Sequence, residues 1–123
     1  MERDLHAKLT VRIFTDEKCF GPGVAELLRR VREQRSLRAA ALSMNMAYSK
    51  AWTVLRTAQE ALGFKLLSSS TGGRNGGGAT LTPEGEQMLA AYEDYCAKLN
   101  AYGEALFAET FGFYDALTKE KTE

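Results

Sequence analysis

Ser36-Leu37-Arg38-Ala39-Ala40-Ala41-Leu42-Ser43-Met44-Asn45-Met46-Ala47-Tyr48-Ser49-Lys50-Ala51-Trp52 is the stretch on which the fold turns. Ser36 is a strong helix N-cap, and the alanines behind it let a second helix approach closely. Asn45 is the residue type that, after glycine, best tolerates a left-handed turn. A further helix starts about two positions later and places Ala51, Val54 or Leu55, Ala58 and Leu62 at helical spacing, with Trp52 packing beside them as core. Short helix, tight turn, helix is a helix-turn-helix unit.

The flanks complete the pattern. Lys8 to Phe14 alternates polar and apolar residues and predicts a short strand, followed by a turn at Thr15 to Lys18. After Gly21-Pro22-Gly23, Val24, Leu27, Leu28 and Val31 form the stripe of a first helix reaching about Gln34. Gly63 stops the third helix. Two strands follow, Lys65 to Ser69 and Ala79 to Thr82, joined by the glycine-rich loop from Thr71 to Gly78. Thr82-Pro83-Glu84 opens a long helix, with Thr as cap, Pro at the first position and an acid in the first turn. The fold class expected is mainly α with a small β-hairpin, a winged helix-turn-helix plus a long C-terminal dimerisation helix. The winged helix occupies 1–82 and the dimerisation helix 83–118, with a disordered tail over 119–123.

Length and composition narrow the function. At 123 residues the chain suits one domain with an appendage. Its longest uncharged run, Ala39 to Ser49, is too short to span a bilayer, and its charged N-terminus lacks a signal peptide's apolar core. A cytoplasmic protein with no membrane partner is expected. Cys19, Cys96 and the single His6 have no metal-ligand spacing, and no Ser or Cys has a readable partner base, so neither metal, cofactor nor enzymatic activity is expected. Gly73 and Gly78 have P-loop separation, but Ala79 stands where the phosphate-binding lysine belongs.

The sixteen bases and sixteen acids are unevenly spread. Residues 1–82 carry thirteen bases against seven acids, a net +6, and residues 83–123 carry −6. That asymmetry suits a basic part that meets a polyanion and an acidic part that does not.

Gly21-Pro22-Gly23, Ser36-Leu37-x-x-Ala40-Ala41, Met46-x-Tyr48-x-x-Ala51-Trp52, Thr71-Gly72-Gly73-Arg74-x-Gly76-Gly77-Gly78-Ala79 and Leu81-Thr82-x-x-Gly85 together resemble the N-terminal DNA-binding domain of the ModE family. These are molybdate-responsive transcriptional regulators related to LysR-type winged helices. The resemblance covers Gly21 to about Tyr95 without gaps, and implies a winged helix-turn-helix that binds duplex DNA as a homodimer. Arg35 and Asn45 stand where the family has glycine, Ala47 where it commonly has serine, and Ser49 where a base often follows the tyrosine. Operator sequence is therefore not implied. Nor is molybdate binding, since the family's C-terminal oxyanion-binding domains would follow the long helix and the chain ends at Glu123.

Tyr48, Ser49, Lys50, Thr53 and Arg56 lie near the start of the third helix, off the buried stripe, where side chains reach base edges and phosphates. Arg56 could instead pair with Glu60 at i+4. Ser36 and Arg38 open the second helix, where a helix N-terminus with its free backbone amides and a cation suit a phosphate. In the wing, Gly72, Gly73 and Gly76 allow close backbone approach and offer their amides to phosphates, Arg74 supplies charge, and Thr71 and Asn75 belong to the same contact loop. Met88, Tyr92, Tyr95, Leu99, Tyr102 and Leu106 alternate at four and three, the seam of a helix that pairs with its copy. The rival is a winged-helix interaction module that docks a separate sensor or effector protein through the aromatics from Phe107 to Tyr114. A small-molecule-binding repressor is a third option, for which no site is visible in the sequence.

Overall fold

The computed structural model describes residues 4–70 and 78–122. In chain order these form β1 (Ile13–Phe14), β2 (Lys18–Phe20), α1 (Pro22–Gln34), α2 (Leu37–Ser43), α3 (Tyr48–Leu62), β3 (Leu67–Ser70), β4 (Gly78–Leu81), α4 (Pro83–Phe111) and α5 (Tyr114–Thr122). Packing divides them into two units, residues 11–93 and residues 1–10 with 94–123.

The larger unit is a winged helix-turn-helix. Leu27, Leu28 and Val31 of α1, Leu55 of α3, Leu89 of α4, Phe20 and Leu66 are fully buried. Each such side chain contributes about 1.5–3 kcal/mol by leaving water. Ala40, Ala41 and Ala51 are also fully buried, small side chains that let α2 and α3 approach closely. Three joints use left-handed backbone: Arg35 (φ 57°), Asn45 (φ 54°) and Gly63 (φ 90°). The first two are positions where the resembling family has glycine, and the backbone gives the reason, since a side chain there crowds its own carbonyl. β3 and β4 pair antiparallel, with Leu67 opposite Leu81 and Ser69 opposite Ala79.

Four features depart from expectation. β1 is shorter than the alternation over Lys8 to Phe14 suggests, and it pairs with β2, which begins inside the stretch that reads as a turn. Cys19 and Phe20 of β2 are both buried, and a pair of adjacent apolar residues carries no period to signal a strand. Trp52 is half-buried rather than core. The long helix ends at Phe111, short of the expected residue 118, and a separate helix, α5, carries helical backbone from Tyr114 to Thr122.

In the smaller unit, Leu5, His6, Ala7 and Leu9 line an apolar groove of about 780 Å³ together with Leu99, Tyr102, Gly103, Leu106, Phe107 and Phe111 of α4. Gly103 makes room for this, because a methyl group there would lie 2.8 Å from Leu9 Cδ1. Phe107 stacks on Phe111 at 4.8 Å.

On α1, Glu26 accepts hydrogen bonds from Arg30 (2.7 Å) and Arg29 (2.8 Å). The Arg30 bond foremost, with Arg29 adding to it, holds the Glu26 carboxyl below its ordinary value. The unfolded chain then takes up that proton first, so the stabilisation is complete above the ordinary glutamate range and is lost as pH falls through the lowered value. In thermal melts the difference between wild type and Glu26→Gln is expected to shrink as pH drops below about 4. A difference independent of pH would show that these ion pairs do not contribute.

Candidate nucleic-acid interface

The geometry of the interface begins at α2. Ser36 caps this helix, its Oγ accepting from the Ala39 amide at 3.0 Å, and its hydroxyl proton can still donate outward. The turn that follows is closed by Met44 and Met46 amides on the Ala41 carbonyl and by the Asn45 amide on Leu42. Ala47 precedes α3 without a side-chain cap, so no side chain competes for the first amides of that helix.

Tyr48 has a different role from the other polar residues of α3. Its hydroxyl accepts from Trp52 Nε1 at 2.7 Å, its ring meets the indole edge-on, and the Arg38 guanidinium lies 4.2 Å above the ring centre. The ring is a platform that orients Arg38 between the two helices, an interaction of about 0.5–1 kcal/mol at an exposed site. Ser49, Lys50, Thr53 and Arg56 are exposed on the face opposite the buried Ala51, Leu55 and Ala58. Thr53 Oγ1 donates to the Ser49 carbonyl at 3.0 Å. Arg56 forms no ion pair with Glu60 among the described residues, which leaves its charge available.

Thr71, Gly72, Gly73, Arg74, Asn75 and Gly76 lie outside the described residues. The strands that carry them are firmly placed. Gln59 Oε1 of α3 accepts from the amides of Leu66 (2.8 Å) and Leu67 (3.2 Å), and the Arg35 carbonyl accepts from the Ala79 amide at 3.1 Å. Sequence reasoning missed Gln59, which reads as one more solvated residue of α3.

The expected dimer seam divides at Glu93. Tyr92 packs on Phe20 with ring centres 5.1 Å apart and donates its hydroxyl to the Val11 carbonyl at 2.8 Å, so it is 5% exposed and belongs to the core of its own unit. That corrects its assignment as a dimerisation residue. Met88 is half-buried. Within the smaller unit Tyr95, Tyr102 and Leu106 are exposed and Leu99 is half-buried.

The charges also sort themselves. Arg29 and Arg30 pair with Glu26, Arg29 also with Glu93, and Arg32 with Glu86. Glu93's hydrogen bond foremost pushes the Arg29 guanidinium further up. Part of the acidity that the sequence assigns to a helix kept off DNA therefore neutralises α1. Among the described residues no His, Cys, Asp and Glu cluster could hold a metal, and no helix is long and apolar enough to cross a membrane.

Residues 24–86 match the family described as "Bacterial regulatory helix-turn-helix protein, lysR family". Among curated proteins, the chain is 33% identical over 89 residues to the transcriptional regulator ModE of Haemophilus influenzae, covering 72% of this chain and 33% of that one. It is 28% identical over 89 residues to the DNA-binding transcriptional dual regulator ModE of Escherichia coli K12, covering 72% and 32%. It is 36% identical over 66 residues to the molybdenum-pterin-binding protein MopB of Rhodobacter capsulatus, covering 54% and 24%. The chain spans about a third or less of the length of these curated relatives. The matched family is regulatory rather than enzymatic. The matched residues run from α1 through the helix-turn-helix and both wing strands into the first turn of α4, and on that footing the chain belongs to the lysR family of bacterial regulatory helix-turn-helix proteins, with a winged helix of the ModE N-terminal type.

Proposed function

We propose that the chain is a cytoplasmic transcriptional regulator that binds duplex DNA as a homodimer. Residues 1–82 supply the reading head and residues 83–118, α4 foremost, the pairing segment. The observation that carries this is the exposed row Ser49, Lys50, Thr53 and Arg56 on α3, with the Tyr48-supported Arg38 beside it. α3 enters the major groove, where Ser49, Lys50 and Thr53 face base edges. Arg38, Ser36 and the loop residues Thr71 to Gly76 face the phosphate backbone. Pairing uses Tyr95, Leu99, Tyr102 and Leu106 of α4. Support for it comes from the exposure of Tyr95 (56%), Tyr102 (68%) and Leu106 (49%), apolar area that a two-fold contact would cover.

Selection of bound sequences from a random duplex pool tests both parts together. The expected product is a palindrome whose half-sites lie about one helical turn, roughly 10–10.5 base pairs, apart or a multiple of it. No enrichment over the starting pool would overturn DNA reading. An enriched but non-palindromic site would overturn the homodimer.

A further inference from the structure

A second cationic surface lies on the other side of α3 from Tyr48 and Trp52. Lys50, Thr53, Val54 and Thr57 recur at i, i+3, i+4 and i+7 and so share one stripe of the helix. They form one wall of an open groove of about 460 Å³ whose other wall contains Arg12, Lys18 and Gly21 to Val24. Arg12 is exposed and its stem passes over Gly21, where a methyl group would lie 3.5 Å from its Cγ. The turn between β1 and β2 is fixed against the end of α3 by Thr15 Oγ1, which donates to the Ala61 carbonyl at 3.0 Å. The ribbon thus presents its bases at a set place rather than on a loose arm.

The groove has no acidic lining residue. Among the described residues, Arg12, Lys18 and Lys50 have no carboxylate partner, whereas Arg29, Arg30 and Arg32 of α1 all have one. Two uncompensated cations on the ribbon wall, Arg12 and Lys18, facing α3 across a groove without acids, are suited to a phosphodiester.

We propose that this groove seats backbone phosphate of the bound duplex, making Arg12 and Lys18 of the N-terminal ribbon positioning contacts to DNA. α3 is then bracketed by cations, Arg38 on one side and Arg12 with Lys18 on the other. Such contacts fix the register of the reading helix and carry no sequence information themselves. This rests on the DNA-binding reading above.

The test measures affinity against salt for wild type and for Arg12→Ala/Lys18→Ala, on the selected duplex and on an unrelated duplex of equal length. The double variant is expected to lower the slope of log affinity against log salt by about 1–2 and to weaken both duplexes by a similar factor, about tenfold or more. Arg12→Lys/Lys18→Arg should keep the wild-type slope. An unchanged slope overturns the proposal while leaving DNA binding intact, and so does a loss confined to the selected duplex. Failure of wild type to bind either duplex overturns the DNA-binding reading itself. If the double variant melts far below wild type, the single Lys18→Gln change at an exposed side chain decides by the same slope.

Discussion

Replacing Gly85 with alanine is expected to lower the melting temperature by about 10 °C or more, the largest effect of an added methyl group among the described glycines. Two bonds fasten the start of α4 to the chain before β3, and a third caps the helix. Thr82 Oγ1 donates to the Lys65 carbonyl at 2.6 Å and accepts from the Gly85 amide at 2.9 Å, while the Thr82 amide donates to the Leu66 carbonyl at 3.0 Å. These bonds bring the Leu66 backbone onto the face of Gly85. A methyl group there would overlap the Leu66 carbonyl oxygen and lie 3.1 Å from its carbon. Both neighbours are backbone, so relief requires moving either β3 or the whole of α4, with Leu66 and Leu89 in the core at stake. Overpacking of this kind costs about 1–3 kcal/mol and more where the surroundings cannot yield. Gly23→Ala is the matched control, because a methyl group on Gly23 meets nothing within 4 Å. Circular dichroism melts that place Gly85→Ala within about 2 °C of wild type would show that the joint between α4 and β3 is compliant.

Lys50→Glu is the change with the largest expected effect on DNA. Lys50 is exposed, has no ion-pair partner among the described residues, and stands where the first turn of α3 borders the groove shared with Arg12 and Lys18. Losing one base or phosphate contact costs about 1–3 kcal/mol, and a carboxylate in its place adds repulsion against the polyanion. A fall of about 100-fold in affinity for the selected duplex is expected, with the melting temperature unchanged because nothing buried is touched. Fluorescence anisotropy titration checks it, and an affinity within about threefold of wild type would remove α3 from the reading surface.

What could be read from the sequence was local. The Ser36 and Thr82 caps, the left-handed Asn45, the stripe from Val24 to Val31 and the start of α3 each rest on residues within one or two turns of one another, where residue type fixes backbone geometry directly. What escaped is long-range. Tyr92 continues a faultless four-three pattern, yet Phe20 and the Val11 carbonyl, some seventy to eighty positions earlier, claim it for the core. Glu86 and Glu93 count toward an acidic helix in the sequence and toward the neutralisation of α1 in space. Arg12 and Lys18 look like scattered bases until β1 and β2 pair and bring them beside Lys50. The proposed surface on α3 was legible because one helix carries most of it, and its second flank was not because three segments build it.

Residue 79 sits in β4 opposite Ser69, but its amide turns to the Arg35 carbonyl, in the left-handed residue between α1 and α2. The strand is therefore bonded along both edges, to its hairpin partner and to the pivot of the helices. Pulling β4 away would leave the Arg35 carbonyl without this bond, so opening of the hairpin is felt at the joint that orients α2. Exchange of the Ala79 amide with solvent is therefore expected to report on the joint between α1 and α2 as well as on the hairpin, because that amide is released only when β4 parts from Arg35.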